Sequence, residues 1–210
     1  MLIKVLVLMG GISAERDVSL RSGEAVANAL KEAGYLVETL DFNRDNINTI
    51  AEIDPDVVFI ALHGKNGEDG KIQGYLDILE IPYTSSNSTA SAIGMDKILT
   101  KKILKFENIP TADFMIIEQN EFLTNPDLVA NNIIKSLGLP VVIKAPTQGS
   151  SIGTYIVKDK SSLVNAINNA LAYDTEILAE QFIDGIEVTA AIIGNDDIEV
   201  LPLIEITSVN

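Results

Sequence analysis

The stretch IKVLVLMGG, residues 3–11, decides how the first half of the chain folds. A continuous apolar run of this length, closed by two glycines, is typical of a buried β-strand that ends in a turn. Apolar residues then recur at helical spacing from Val18 to Ala33, and Gly34 is suited to end the helix. The order strand, loop and helix predicts the first unit of an α/β sheet.

The same alternation continues outward from this unit. YLVETL, DVVFIAL and a short segment near IPYTS predict further strands, and an apolar repeat over residues 72–79 predicts another amphipathic helix. We therefore expect residues 1–90 to form a parallel-sheet domain. Ligands of such sheets collect beyond the carboxyl ends of the strands, here the polar loops at 10–19 and 63–70.

The pattern changes in the second half of the chain. A single long helix is predicted from Ser88 to Asn108, because the Ile109–Pro110 pair ends it. Apolar β runs then follow with short turns, around one helix over residues 161–173, and this order favours an antiparallel sheet. The predicted fold class is therefore α/β, a parallel-sheet domain followed by an α+β domain.

Composition excludes several classes of protein. Thirty acidic and 15 basic residues give a net charge of −15, which repels nucleic acid. The absence of cysteine excludes disulfides and thiolate metal sites. The apolar start MLIKVLVLMGG is too short to span a membrane and lacks the basic region and cleavage site of a secretory signal. We therefore expect a cytoplasmic protein without nucleic-acid or membrane partners.

The strongest local feature is VVIKAPTQGSSIGTYIV, residues 141–157, in which a lysine ends one β run and a glycine-serine loop leads into the next. Such a hairpin can wrap phosphates, because glycine lets backbone N–H groups approach oxygens closely and lysine supplies a positive charge. A plain hairpin with small turn residues is the alternative. The candidate phosphate ligands are Lys144, Gly149, Ser150, Ser151 and Gly153.

Four other regions contain candidate binding residues, each with a simpler structural interpretation. In the run AEQFIDGIEVT, an adenosine could be bound by Glu180, Phe182, Ile183 and Glu187, although a strand with exposed acids has the same pattern. Lys97 lies among the lysines at 101, 102 and 105, so a solvated lysine face is the default for each of them. His63 follows a buried strand, and Glu15 precedes a helix that it could merely cap.

Five segments taken together resemble, in order and spacing, the D-alanine:D-alanine ligases of the ATP-grasp superfamily. They are GGISAERDVSLRSG, LHGKNGEDGKIQGYLD, MDKILTK, VVIKAPTQGSSIG and EQFIDGIEVT. The resemblance implies a Rossmann-like pre-ATP-grasp domain over residues 1–90 that binds substrate, and an incomplete ATP-grasp domain over 91–210. The latter would consist of a small ATP-binding subdomain, 91–183, and the start of a C-terminal subdomain, 184–210.

The resemblance also implies a reaction. ATP would phosphorylate one D-alanine, and the amine of a second would attack the acyl phosphate to give D-alanyl-D-alanine for peptidoglycan. Glu15 is implied to hold the ammonium of the first substrate, His63 to position it, and Ser150 to join a hydrogen-bonded network beside the reacting groups. Lys97 and Lys144 are implied to grip the phosphates, and the residues of the AEQFIDGIEVT run to contact adenosine.

Members of this family continue with an arginine and with Asp, Glu and Asn residues that hold magnesium or manganese. No metal ligand is assigned in these 210 residues, because Asp196, Asp197, Glu199 and Glu205 are better interpreted as solvated surface, and the chain alone is expected to be inactive. The implied partners are ATP and D-alanine, and relatives commonly pair through the first domain. Two other hypotheses stay open, a nucleotide-binding module without catalysis and a ligase whose second substrate is D-lactate or D-serine.

Overall fold

The computed structural model describes residues 2–149 and 151–207. The first half contains a three-stranded parallel sheet of order β2-β1-β3. Its elements are β1 (Lys4–Gly10), α1 (Arg16–Glu32), β2 (Leu36–Phe42), a 3-10 turn (Arg44–Asn46), α2 (Thr49–Ile53), β3 (Val57–Ile60) and α3 (Lys71–Ile78). The parallel sheet predicted for this half is therefore confirmed.

Alternation along β1 gives this sheet a core on each face. Leu6 and Leu8 belong to one buried cluster, whereas Val5 and Val7 belong to a cluster on the other side. Helix α1 approaches the second face closely, because a methyl group on Gly23 would lie 2.4 Å from Cβ of Met9. With both faces covered, the parts of this sheet that remain accessible are its ends and loops.

Two helices connect the halves, α4 (Ser88–Met95) and α5 (Lys97–Phe106). The prediction of a single helix from Ser88 to Asn108 is wrong, because the chain leaves the helical conformation at Asp96, with φ −88° and ψ 102°. The carboxylate of Asp96 instead accepts hydrogen bonds from the backbone N–H groups of Ile98 and Leu99 and caps α5.

The second half contains a four-stranded antiparallel sheet of order β4-β7-β5-β6. Helices α6, α7 and α8 cover one of its faces with a buried apolar cluster. The elements are β4 (Phe114–Glu118), α6 (Gln119–Thr124), α7 (Pro126–Leu137), β5 (Val141–Lys144), β6 (Thr154–Val157), α8 (Lys160–Ala170) and β7 (Glu176–Gln181). The predicted antiparallel sheet is confirmed, and the helix predicted over residues 161–173 ends three residues earlier, at Ala170.

Beyond β7 the described chain forms four very short strands. They are β8 (Val188–Thr189), β9 (Ile192–Ile193), β10 (Glu199–Val200) and β11 (Ile204–Glu205). β9 pairs with β10 and β8 pairs with β11, both antiparallel. All four strands are exposed, unlike the strands of the two sheets. None of the helices in residues 2–149 and 151–207 combines the length and the hydrophobicity that a membrane span requires.

Candidate functional site

A cleft of about 540 Å³ lies between the two halves of the molecule. The first half contributes the loop after β1 and the loop after β3, both at the carboxyl ends of parallel strands, where ligands of such sheets bind. The second half contributes the hairpin loop between β5 and β6 and the segment that precedes β7. The lining includes Ser13, Glu15, Gly64, Lys65, Asp69, Asp96, Gln148, Gly149 and Asp174.

Glu15 extends from the first half toward the hairpin loop of the second. A methyl group on Gly149 would lie 2.7 Å from Oε2 of Glu15, and one on Gly64 would lie 3.2 Å from the same oxygen. Glu15 occupies the N-cap position of α1, yet its side chain makes no capping hydrogen bond, which disfavours the capping interpretation. The structure therefore brings Glu15 and Gly149 together, while Ser150 lies outside the described residues.

Hydrogen bonds with Lys97 and Asp174 hold the hairpin loop in place. Nζ of Lys97 donates to the backbone carbonyl of Gln148 at 2.6 Å, and the backbone N–H and hydroxyl of Thr147 donate to the carboxylate of Asp174 at 3.2 and 2.7 Å. Gly153 has a φ of +68°, and a methyl group on it would lie 2.6 Å from Cβ of Ala145. The turn back into β6 therefore requires glycine at 153.

Lys97 and Lys144 form a positive centre at the base of this hairpin. Burial lowers the pKa of Lys97, and the nearby charge of Lys144 lowers it further. Nζ of Lys144 donates to Oε2 of Glu180 at 2.6 Å. Burial alone would raise the pKa of Glu180, but hydrogen bonds from Lys101 and Lys144 outweigh burial and hold it below its usual range. The centre concentrates positive charge in a protein whose net charge is −15.

Lys101 corrects the expectation of a solvated lysine face on α5. Its side chain is buried, with a residue exposure of 7%, and its ammonium forms an ion pair with Oε1 of Glu180. Sequence reasoning missed both Lys101 and Asp174 as parts of the site. The spacing of four between Lys97 and Lys101 places them on one face of α5, and this was the available signal. Asp174 has no comparable signal, because it lies in a loop.

His63 lies at a second cavity, of about 460 Å³, and does not line the cleft that contains Glu15. Its Nδ1 is 3.9 Å from Oε1 of Glu68, and its buried Nε2 has no hydrogen-bond partner among the described residues. Met95 lines both spaces, so the cavity and the cleft are neighbours. The substrate-positioning role of His63 stays a prediction.

The other predicted adenosine contacts follow Glu180 in the chain. Phe182 is half-buried, Ile183 is 63% exposed, and Glu187 lies in a separate shallow hollow beside Glu205. The acidic residues near the end of the described chain are all exposed, namely Asp196, Asp197, Glu199 and Glu205. In residues 2–149 and 151–207, no group of three or more His, Cys or acidic side chains could hold a metal ion.

Two family models match the sequence. The model described as "D-ala D-ala ligase C-terminus" matches residues 103–210, and the one described as "D-ala D-ala ligase N-terminus" matches residues 43–86. A D-alanine–D-alanine ligase of Moorella thermoacetica is 53% identical over 205 residues, which are 98% of this chain and 66% of the relative. That of Pelotomaculum thermopropionicum is 51% identical over 209 residues, which are 99% of this chain and 66% of the relative.

Solved structures of D-alanine ligases are also similar to this chain. A D-alanine–D-alanine ligase of Bacillus anthracis complexed with ATP superposes with a TM-score of 0.83 at 34% identity, and the match covers 99% of this chain and 67% of that one. The VanG D-Ala:D-Ser ligase of Enterococcus faecalis superposes with a TM-score of 0.80 at 27% identity, covering 98% of this chain and 70% of that one.

Proposed function

Because the chain belongs to the D-alanine–D-alanine ligase family, we propose that it binds ATP and D-alanine as part of an ATP-grasp ligase of peptidoglycan synthesis. The chain spans about two thirds of the length of the curated relatives it matches, 66% for the first two. In the proposed reaction, a carboxylate oxygen of one D-alanine takes the γ-phosphoryl group of ATP and ADP leaves. The amine of a second D-alanine then attacks the acyl carbon, loses a proton and displaces phosphate, forming the peptide bond.

The observation that carries this proposal is the position of Glu15 opposite the hairpin loop. The carboxylate of Glu15 adjoins Gly149 and Gly64 in a cleft that both halves line. An ammonium group bound by Glu15 would place the carboxyl group of the same amino acid near the hairpin. Phosphoryl transfer depends mainly on such positioning of donor and acceptor.

The phosphates of ATP are assigned to the hairpin and the two lysines at its base. Backbone N–H groups of a glycine-rich loop and lysine ammonium groups neutralise oxygen charge without further rearrangement. Lys97 already bonds the loop carbonyl at Gln148, and its lowered pKa reflects burial beside Lys144. A triphosphate close to both ammonium groups would relieve their mutual repulsion. Closure of the 149–153 loop over the phosphates stays a prediction.

The adenine base is assigned to the sheet face opposite the one covered by α6, α7 and α8. Alternation along the strands puts Val142, Lys144 and Glu180 on that face, since Val141, Ile143 and Ala179 belong to the buried cluster. Val142 lies next to Glu180 in the strand register. An apolar surface beside an ionised carboxylate suits a flat base with an exocyclic amino donor.

The identity of the second substrate is a separate part of the proposal. Relatives named D-alanine–D-alanine ligase favour D-alanine, while the likeness to a D-Ala:D-Ser ligase supports D-serine as the second candidate. The described residues supply no metal site, so no step is assigned to a metal ion. Pairing through the first domain and a cytoplasmic location stay predictions.

Calorimetric titration with ATP tests the proposal. We expect the wild-type chain to bind ATP and Lys144→Ala to bind it about ten- to a hundredfold more weakly, because a charged hydrogen bond to phosphate contributes about 1.5–3 kcal/mol. Lys158→Ala is the matched control, since Lys158 is an exposed lysine just after the same hairpin. Equal affinities of the two variants would contradict the phosphate assignment, and absence of ATP binding by the wild type would contradict the proposed function.

A further inference from the structure

Lys101 has every hydrogen-bond donor of its ammonium engaged. Nζ forms the ion pair with Oε1 of Glu180 and donates to Oγ1 of Thr111 at 2.8 Å and to the carbonyl of Ala112 at 2.9 Å. An ammonium has three N–H donors, so these three acceptors use all of them. The same Nζ lies 5.5 Å from the centre of the Phe114 ring. Lys101 is therefore fixed in place and has no donor left for a ligand.

Glu180 receives one lysine on each carboxylate oxygen, but the two lysines differ. The side chain of Lys101 is 9% exposed, whereas that of Lys144 is 27% exposed. Glu180 is the one hydrogen-bond partner of the Lys144 ammonium within the described part of the chain, so two of its donors are available to a ligand. Lys144 is also the last residue of β5, at the base of the hairpin to which the phosphates are assigned, and it lies close to Lys97.

The two lysines can therefore respond differently to a bound nucleotide. A triphosphate bound beside the exposed part of Lys144 brings several negative charges close to this lysine. It therefore competes with Glu180 for the ammonium group of Lys144. Lys101 cannot follow, because turning away from Glu180 would also break its bonds to Thr111 and to the carbonyl of Ala112, both partly buried. Movement of Lys144 would thus leave Oε2 of Glu180 as an available acceptor, while Oε1 remains occupied.

We propose that Lys101 is a positioning residue for base selection: it anchors Oε1 of Glu180, so that the carboxylate presents Oε2 to the 6-amino group of adenine once phosphate has drawn Lys144 away. This inference rests on the proposed ATP-binding function. It makes the site selective for purines with a 6-amino group over those with a 6-oxo group, because an ionised carboxylate only accepts hydrogen bonds. It also couples recognition of the base to recognition of the phosphates, since both depend on Lys144.

The first test compares ATP with inosine triphosphate, whose base carries a 6-oxo group. The wild type should prefer ATP, and Lys101→Met should reduce that preference about tenfold. In Lys101→Met, the preference should fall further as the pH is lowered, because a protonated Glu180 can donate to the 6-oxo group. Lys101→Arg keeps a cation and should restore the preference. Lys102→Met, an exposed neighbour on the same helix, should behave as the wild type.

The second test needs no nucleotide. Carbon-13 NMR titration of the Glu180 carboxyl group should show a higher pKa in Lys101→Met than in Lys102→Met, because the main hydrogen bond opposing burial is removed. If wild-type protein bound no ATP, the proposed function would fail, and this titration would still decide the role of Lys101. Should Lys101→Met not fold, Thr111→Val offers a second variant, because it removes one hydrogen-bond acceptor of the Lys101 ammonium. It should also raise the pKa of Glu180. An unchanged Glu180 titration together with an unchanged nucleotide preference would overturn the inference.

Discussion

The two sheets of this protein differ in how much of their surface is covered. The parallel sheet has a buried cluster on each face, so its candidate residue Glu15 lies in a loop at a strand end. The antiparallel sheet has a helical layer with a buried cluster on one face, and its other face bears Lys144 and Glu180 on the strands themselves. A sheet covered on both sides offers ligands its loops, whereas a partly open sheet can offer side chains in fixed strand positions.

This difference also sets how strongly each candidate residue is held. Lys144 and Glu180 are neighbours across paired strands and bind each other, so a ligand must compete with an existing ion pair. Glu15 makes no capping bond to its own helix, and its carboxylate faces a glycine across the cleft. In the described residues, Lys144 and Glu180 are thus held by each other at paired strands, whereas no capping bond holds the carboxylate of Glu15.

The largest expected effect is a difference in stability between variants on the two faces of the antiparallel sheet. Ile143 is fully buried in the helix-covered cluster, whereas Ile156, on the neighbouring strand and the opposite face, is 56% exposed. We expect Ile143→Ala to reduce the free energy of unfolding by about 2–5 kcal/mol and Ile156→Ala by less than about 1 kcal/mol. Denaturant unfolding of both variants measures this difference. Similar losses would mean that the second face is packed as fully as the first.

A smaller effect is expected within the parallel sheet, between its packed interior and its loop. The buried hydroxyl of Ser19 accepts from the backbone N–H of Gly10 at 2.9 Å and donates to the carbonyl of Ala61 at 2.7 Å, joining the ends of two strands. Ser19→Ala should cost about 1–3 kcal/mol of stability, because two buried backbone groups lose their partner. Glu15→Gln should leave stability nearly unchanged, because in residues 2–149 and 151–207 the Glu15 side chain neither caps α1 nor forms an ion pair.

For D-alanine affinity, unlike for stability, we expect Glu15→Gln to have a larger effect than Ser19→Ala. Glu15→Gln should weaken D-alanine binding, whereas folded Ser19→Ala should retain it, as measured by titration with D-alanine. If Glu15→Gln unfolded as readily as Ser19→Ala and bound D-alanine normally, Glu15 would be a structural residue rather than a substrate ligand.

Much of the fold could be predicted from periodicity alone. The apolar run of β1 and the helical repeat of α1 are local patterns, and each predicted its element close to the observed bounds. The break at Asp96 was not predictable in this way, because the apolar pattern continues across it. An aspartate inside such a pattern is compatible with either a helix interior or a cap, and the backbone conformation decides between them.

The hairpin between β5 and β6 was predictable, because its residues form one contiguous motif. Strands β5 and β6 pair as a hairpin, and the turn into β6 depends on glycine at 153, as the composition suggested. The spacing from Lys97 indicated the helix face of Lys101 but not its burial, because that burial depends on Glu180, Thr111 and Ala112, which lie elsewhere in the sequence. A lysine with a long apolar stem suits both a surface and a buried ion pair, so its type alone cannot distinguish them.

The most direct test of the account is a crystal structure of the protein with a non-hydrolysable ATP analogue. We expect the phosphates to lie within hydrogen-bond distance of the Lys97 and Lys144 ammonium groups, and the base to lie against the face that bears Val142 and Glu180. Lys101 should still bind Oε1 of Glu180, while Lys144 has left Oε2 for phosphate. A nucleotide bound away from the hairpin, or a Lys144–Glu180 pair unchanged beneath a bound triphosphate, would contradict the account.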